Sequence, residues 1–114
     1  MGLTAPPPEQ NLDAGCDTEH AAEVFAALAS PWRLEIVRLL ATGPLEVTEI
    51  ANQLAISVAN TSHHLGRLRF AGLVTSRRDG TRITNTLAGP HVLALCLAAC
   101  ETAPPPGARA GFRR

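Results

Sequence analysis

The stretch SVANTSHHLGRLRFAGLVTSRRDGTRITNTL, residues 57–87, changes its period halfway along. Its first half predicts a helix. Ser57 is a good N-cap and Gly72 lies near the expected stop. Thr61, Leu65 and Leu68 recur at spacings of four and three, so one face is made for burial. The opposite face carries Ala59, Ser62, His63 and Gly66, with Val58 and Asn60 near its N-terminal end. Small and polar, it is a poor stripe for packing and a good one for entering a groove. In the second half, two runs rich in Val, Thr and Ile flank Asp79-Gly80. That pair predicts a two-residue hairpin turn with positive φ at both central residues. The hairpin arms carry Arg77, Arg78 and Arg82.

Upstream, DTEHAAEVFAALA (17–29) predicts a first helix, capped by Asp17 or Thr18, with Val24, Phe25 and Leu28 as its apolar stripe. SPWRLEIVRLLATG (30–43) predicts a second, with Ser30 as cap, Pro31 at the first helical position and Gly43 at the stop. Trp32, Ile36, Val37 and Leu40 should point inward or across. PLEVTEIANQLAIS (44–57) predicts a short third helix, with Ile50 and Leu54 toward the core. Downstream of the hairpin, AGPHVLALCLAACE (88–101) predicts a last helix. Residues 1–16 and 103–114 contain APPPE and APPPGARAGFRR and should be extended or disordered. This leaves 17–102 as a single domain, a size at which pairing with a second copy helps cover apolar surface.

The formal net charge is zero, but the charges are segregated. Residues 1–30 hold five acids and no Arg or Lys, whereas residues 57–82 hold Arg67, Arg69, Arg77, Arg78 and Arg82 against Asp79 alone. All ten basic residues are Arg, whose fork suits phosphate and guanine. No run has the apolar length of a membrane span, and the N-terminus lacks a secretory pattern, so a cytoplasmic protein with reduced thiols is expected. No nucleophile, base and oxyanion group fall at a catalytic spacing, so no enzyme is expected. The adjacent His63 and His64 diverge by about 100° on a helix and make a poor metal pair.

Four helices, a hairpin and a final helix, with a short helix before a polar-faced one, give a winged helix-turn-helix: mainly α, with a β-hairpin wing. The segments ALASPWRLEIVRLL (27–40) and EIANQLAISVANTSHHLGRLRFAGLVTSRRDGTRI (49–83) resemble the ArsR/SmtB family of bacterial transcriptional repressors. The resemblance extends over about residues 20–100. It implies a homodimer formed through the first and last helices and bound to double-stranded operator DNA. The fourth helix would enter the major groove and the wing would follow the backbone. By position, Ser57, Val58, Ala59, Asn60, Ser62 and His63 would line the groove, with Asn60 and His63 as base readers. Arg67 would lie near phosphate, Arg77, Arg78 and Arg82 would touch phosphate or the minor groove, and Thr48 would anchor the backbone. His64 falls beside the buried stripe and is expected to be packed. Arg69 is expected either at DNA or paired with a surface Glu.

The resemblance also implies a signal that releases DNA, and here the sequence departs from the family. The Cys-x-Cys positions of many members fall on Glu46 and Thr48. A second family metal site would fall on Gly89, His91, Thr102 and Pro105, of which only His91 is a ligand. The second helix has no thiol to pair with the last. What remains is Cys16, Cys96 and Cys100. Cys96 and Cys100, four apart, share a helix face, where a disulfide is geometrically disfavoured and chelation of a large soft ion is easier. Cys16 precedes the first helix and could complete a three-sulfur site from the same or the other chain. Three thiolates without a fourth ligand suit As(III) or Sb(III), then Hg(II) or Cd(II), better than structural zinc. No cofactor is required; these ions would be inducers. Three readings stay open beside this one: thiols as small core residues, a dithiol redox sensor, and a winged-helix protein-interaction module.

Overall fold

A computed structural model describes residues 15–107 of the chain. The elements run α1 (Thr18–Leu28), α2 (Pro31–Leu40), α3 (Val47–Leu54), α4 (Val58–Phe70), β1 (Val74–Asp79), β2 (Arg82–Leu87) and α5 (Pro90–Glu101). This is the expected winged helix-turn-helix order. The expectations for residues 1–14 and 108–114 lie outside the described residues. No described helix is long and apolar enough to cross a membrane.

Helix starts follow local chemistry. Asp17 Oδ1 accepts from the backbone N–H groups of Glu19 and His20 at 3.0 and 3.2 Å. Ser30 Oγ accepts from Arg33 at 3.3 Å, and Ser57 Oγ from Asn60 at 3.0 Å. Each bond satisfies a donor that the helix leaves open. At α3 the carboxylate of Glu49 accepts from the Glu46 N–H at 2.7 Å. That helix ends on Ala55 in the left-handed region, φ 58°. The reversal lets Ile56 and Ser57 turn the chain directly into α4.

The core joins Ile36, Val37 and Leu40 of α2, Ile50 of α3, Leu65 and Leu68 of α4, Val74 of β1 and Val92 of α5. Thr61 is fully buried because its hydroxyl donates to the Ser57 carbonyl at 2.9 Å, so its methyl can pack inward. Trp32 and Leu54 are only half-buried. Phe25, on the apolar stripe of α1, is 59% exposed, at the mouth of a cavity that α1 and α2 share with α5.

β1 and β2 pair antiparallel from Val74↔Leu87 to Asp79↔Arg82. The turn therefore falls on Gly80-Thr81, one residue beyond the expected Asp79-Gly80. Among described residues only Ala55 and glycines have positive φ, and Gly80 has φ 68°. Positive φ is thus confined to the first central residue, the type II′ requirement, and Asp79 becomes the last strand residue. A third, one-residue strand forms where Leu45 and Asn85 exchange backbone bonds of 3.1 and 2.8 Å.

Candidate nucleic-acid interface

α4 has two unlike faces. Thr61, Leu65 and Leu68 are buried, while Val58, Ala59, Asn60, Ser62 and His63 are exposed, with the cap Ser57 beside them. Thr48, in the first turn of α3, is exposed as well. The groove-facing residues read from the sequence therefore lie on one open helix face. Arg77 and Arg78 are exposed on β1.

Arg33, Arg67, Arg69 and Arg82 have partners. Arg67 Nη2 lies 3.3 Å from Glu23 Oε1 of α1, while its Nη1 is buried with no hydrogen-bond partner. Arg82 pairs with Glu46 at the start of α3, and this carboxylate strengthens the guanidinium's hold on its proton. Arg69 is not paired with a Glu: its Nη1 donates to Ser76 Oγ at 3.1 Å. His64 is packed, as expected. Its Nδ1 lies 3.2 Å from Arg33 Nη1, and burial, then the Arg33 charge, then His63 push its pKa down. A neutral ring can accept from Arg33 there, and Arg33 in turn donates through Nε to the Ala27 carbonyl.

None of these pairings had a signal in the linear pattern, since each joins residues of different elements. Asn85 had one. The strand period puts it on the same face as Ile83 and Leu87, a polar residue where an apolar one is expected. It is 3% exposed and fully engaged.

The thiols differ in setting. Cys96 is buried at a cavity of about 150 Å³ walled by Phe25, Leu28, Leu34, Leu95 and Ala99. Burial, and then the nearby Cys100, push its thiol pKa up. Cys100 and Cys16 are exposed. Among the described residues of one chain, no three His, Cys, Asp or Glu side chains come together to hold a metal.

An exposed polar helix behind a short helix, beside an arginine-bearing hairpin, defines a winged helix-turn-helix of the regulator class. The sequence model of the arsR family of bacterial regulatory proteins matches residues 30–76. The transcriptional regulator NmtR of Mycobacterium tuberculosis is 40% identical over 85 residues, 72% of this chain and 71% of that protein. KmtR of the same organism is 40% identical over 75 residues, and the match spans 58% of its length. Among solved structures, the homodimeric winged helix-turn-helix DNA-binding domain Mb0332 of Mycobacterium bovis superposes with a TM-score of 0.69 at 32% identity. That match covers 88% of this chain and 87% of that one. NolR of Sinorhizobium fredii gives 0.67 at 30% identity, over 87% and 95% of the two chains. The chain belongs to the arsR family of bacterial regulatory proteins.

Proposed function

We propose that the protein is a transcriptional repressor that binds operator DNA as a homodimer and is released by a soft metal or metalloid at cysteine thiolates. The observation that carries the DNA reading is the two-faced α4. Its inner face is closed by the core, and its outer face offers Asn60, Ser62 and His63 to solvent beside the exposed Arg77 and Arg78. Asn60 and His63 present hydrogen-bonding groups to base edges, and the wing arginines suit phosphates flanking the major groove. Dimerisation is supported by Phe25 of α1 and Leu97 of α5, large apolar side chains that are 59% and 46% exposed. It is supported also by the homodimeric state of the Mycobacterium bovis relative.

The ligand reading rests on the thiols. Cys96 and Cys100 lie one turn apart on α5, close enough for the charge of one to act on the other. With no three-ligand cluster among the described residues of one chain, the third sulfur is assigned to Cys16 of the partner subunit, which brings the ion onto the dimer contact. As(III) or Sb(III) fits three sulfurs first, and Hg(II) or Cd(II) second. The redox alternative is weakened at Cys96, because a buried thiol with a raised pKa is a poor nucleophile.

The test has two arms. A labelled duplex selected by the protein from a random pool should bind the dimer with an affinity that falls steeply as salt rises. Failure to retain any duplex would overturn the repressor reading. Native mass spectrometry of reduced protein should show two arsenite-derived arsenic atoms per dimer, and arsenite should release the duplex. A dimer that takes up neither arsenite, Cd(II) nor Hg(II) would overturn the ligand reading and leave the DNA reading standing.

A further inference from the structure

The wing is a lever held at few points: Val74 in the core at its base, the Leu45–Asn85 backbone bridge, and the Arg82–Glu46 pair near its tip. A two-stranded hairpin is marginal by itself. Its tip at Gly80 lies six residues beyond the base at Val74, about 20 Å at strand rise. A swing of 10° at the base would move the tip by about 3.5 Å over that length. Such a shift is enough to break an arginine–phosphate hydrogen bond, which tolerates only a few tenths of an ångström. Between the wing and α4 lies an open groove of about 350 Å³, bordered by Ser62 and Leu65 of α4 and Ile83 of β2. Apolar packing between α4 and the wing is confined to the base, where Val74 joins Leu65 and Leu68 in the core.

A directed chain of hydrogen bonds crosses that gap. Arg69 Nη1, in the last turn of α4, donates to Ser76 Oγ on β1 at 3.1 Å. The Ser76 hydroxyl donates onward to Asn85 Oδ1 on β2 at 2.9 Å. Asn85 Nδ2 donates to the Leu45 carbonyl, just before α3, at 3.1 Å. Asn85 also exchanges both backbone bonds with Leu45. The donors all run one way, so each link satisfies the next; one end rests on α4 and the other on Leu45, in the segment that leads into α3. Ser76 itself is exposed and fills no space in the core.

We propose that Ser76 and Asn85 are positioning residues that set the angle of the wing against α4, so that Arg77 and Arg78 reach DNA when α4 sits in the groove. The inference rests on the DNA-binding reading above. Ser76 is the link to test, because it can be cut without opening the core. Ser76→Thr keeps the hydroxyl, and Ser76→Val has the same shape and strand preference without it.

The probe is the duplex that the unaltered protein selects from a random pool. Ser76→Val should bind it about tenfold more weakly, the net worth of one hydrogen bond read as affinity. Its salt slope should fall by about two, one for each of Arg77 and Arg78. Hydroxyl-radical protection should vanish at the flanks and persist at the central bases. The melting temperature should fall by roughly 4–8 °C, the cost of leaving the buried Asn85 Oδ1 without its donor. Ser76→Thr should restore affinity, slope and flanking protection. A Ser76→Val protein with the parent's slope and footprint would overturn the inference, as would one that melts early with its slope unchanged. If the unaltered protein selects no duplex, the DNA reading itself fails and takes this inference with it, an outcome separable from the other two.

Discussion

Glu23 on α1 and Arg67 on α4 meet across the interior edge of the domain, with Oε1 3.3 Å from Nη2. The side chains are 54% and 30% exposed, so the pair adds little to stability, under about 1 kcal/mol. Its consequence is for charge: an arginine of the candidate recognition helix is held by the helix assigned to the dimer contact. Glu23→Gln should release it. The expected result is a DNA affinity whose salt slope is steeper by about one, with an unaltered melting curve. An unchanged slope would mean that Arg67 serves the fold and not the DNA.

Arg78 and Asn60 should fail in different ways. Arg78 is exposed on β1 and suited to phosphate, so Arg78→Ala should weaken every duplex alike and lower the salt slope by about one. Asn60 is exposed in the first turn of α4, and its amide can read an adenine edge. Asn60→Ala should cost about 1–3 kcal/mol on the selected duplex, far less on others, and leave the slope alone. Parallel losses for both variants across a panel of duplexes would refute the division between reading and anchoring.

The backbone plan was legible because caps and periods are local. Asp17, Ser30 and Ser57 each mark a helix start with their own side-chain oxygen. Thr61, Leu65 and Leu68 give α4 its buried face before any tertiary contact is known. The turn was misplaced by one residue because Asp-Gly and Gly-Thr both satisfy a two-residue turn, and strand register chooses between them. The exposure of Phe25 was not legible, because an apolar periodicity does not distinguish a face packed within the domain from one left open at its surface. The ion pairs Arg67–Glu23 and Arg82–Glu46 and the chain through Ser76 were not legible at all. They depend on how helices and wing are brought together, and a linear charge pattern carries no such information.

Ala55 stores a small, removable strain. It closes α3 with φ 58°, a region that costs an L-residue with a Cβ about 1–2 kcal/mol and glycine almost nothing. Ala55→Gly should therefore raise the unfolding free energy by roughly 0.5–1 kcal/mol, after the extra freedom of glycine in the unfolded chain is subtracted. Denaturant titration at a constant m-value would measure it. A loss of stability would show that the Ala55 methyl contributes packing that outweighs the strain.

His64 makes stability depend on pH. Burial and the neighbouring Arg33 push its pKa below the ordinary 6.5, so the folded protein favours the neutral ring. The unfolded chain then binds the proton more readily, and protonation favours unfolding. Stability from this residue is present above the unfolded value and is lost as pH falls below it, levelling off under the folded value. Melting temperature should drop as pH is lowered from 7 through the region below 6.5, and His64→Gln should flatten that part of the curve. A variant with the parent's full pH dependence would place the titration elsewhere.

The thiols can be separated by exposure and by proton balance. Cys96 lines an apolar cavity, so Cys96→Ser puts a hydroxyl among Leu28, Leu34 and Leu95 and costs stability whatever the thiol does. Cys100 is exposed, and Cys100→Ser should leave the melting curve unchanged while abolishing arsenite uptake. Arsenite brings three hydroxides, and three thiols exchange with them to give three As–S bonds and three waters, with no proton released. Cd(II) displaces three bare protons, so its affinity should climb steeply between about pH 6 and 8, where arsenite affinity stays nearly level. The raised pKa of Cys96 sharpens that contrast. Calorimetry in buffers of different ionisation enthalpy reads the proton count directly. Retention of arsenite by Cys100→Ser, or an arsenite affinity as steep in pH as that of Cd(II), would exclude the three-thiolate site.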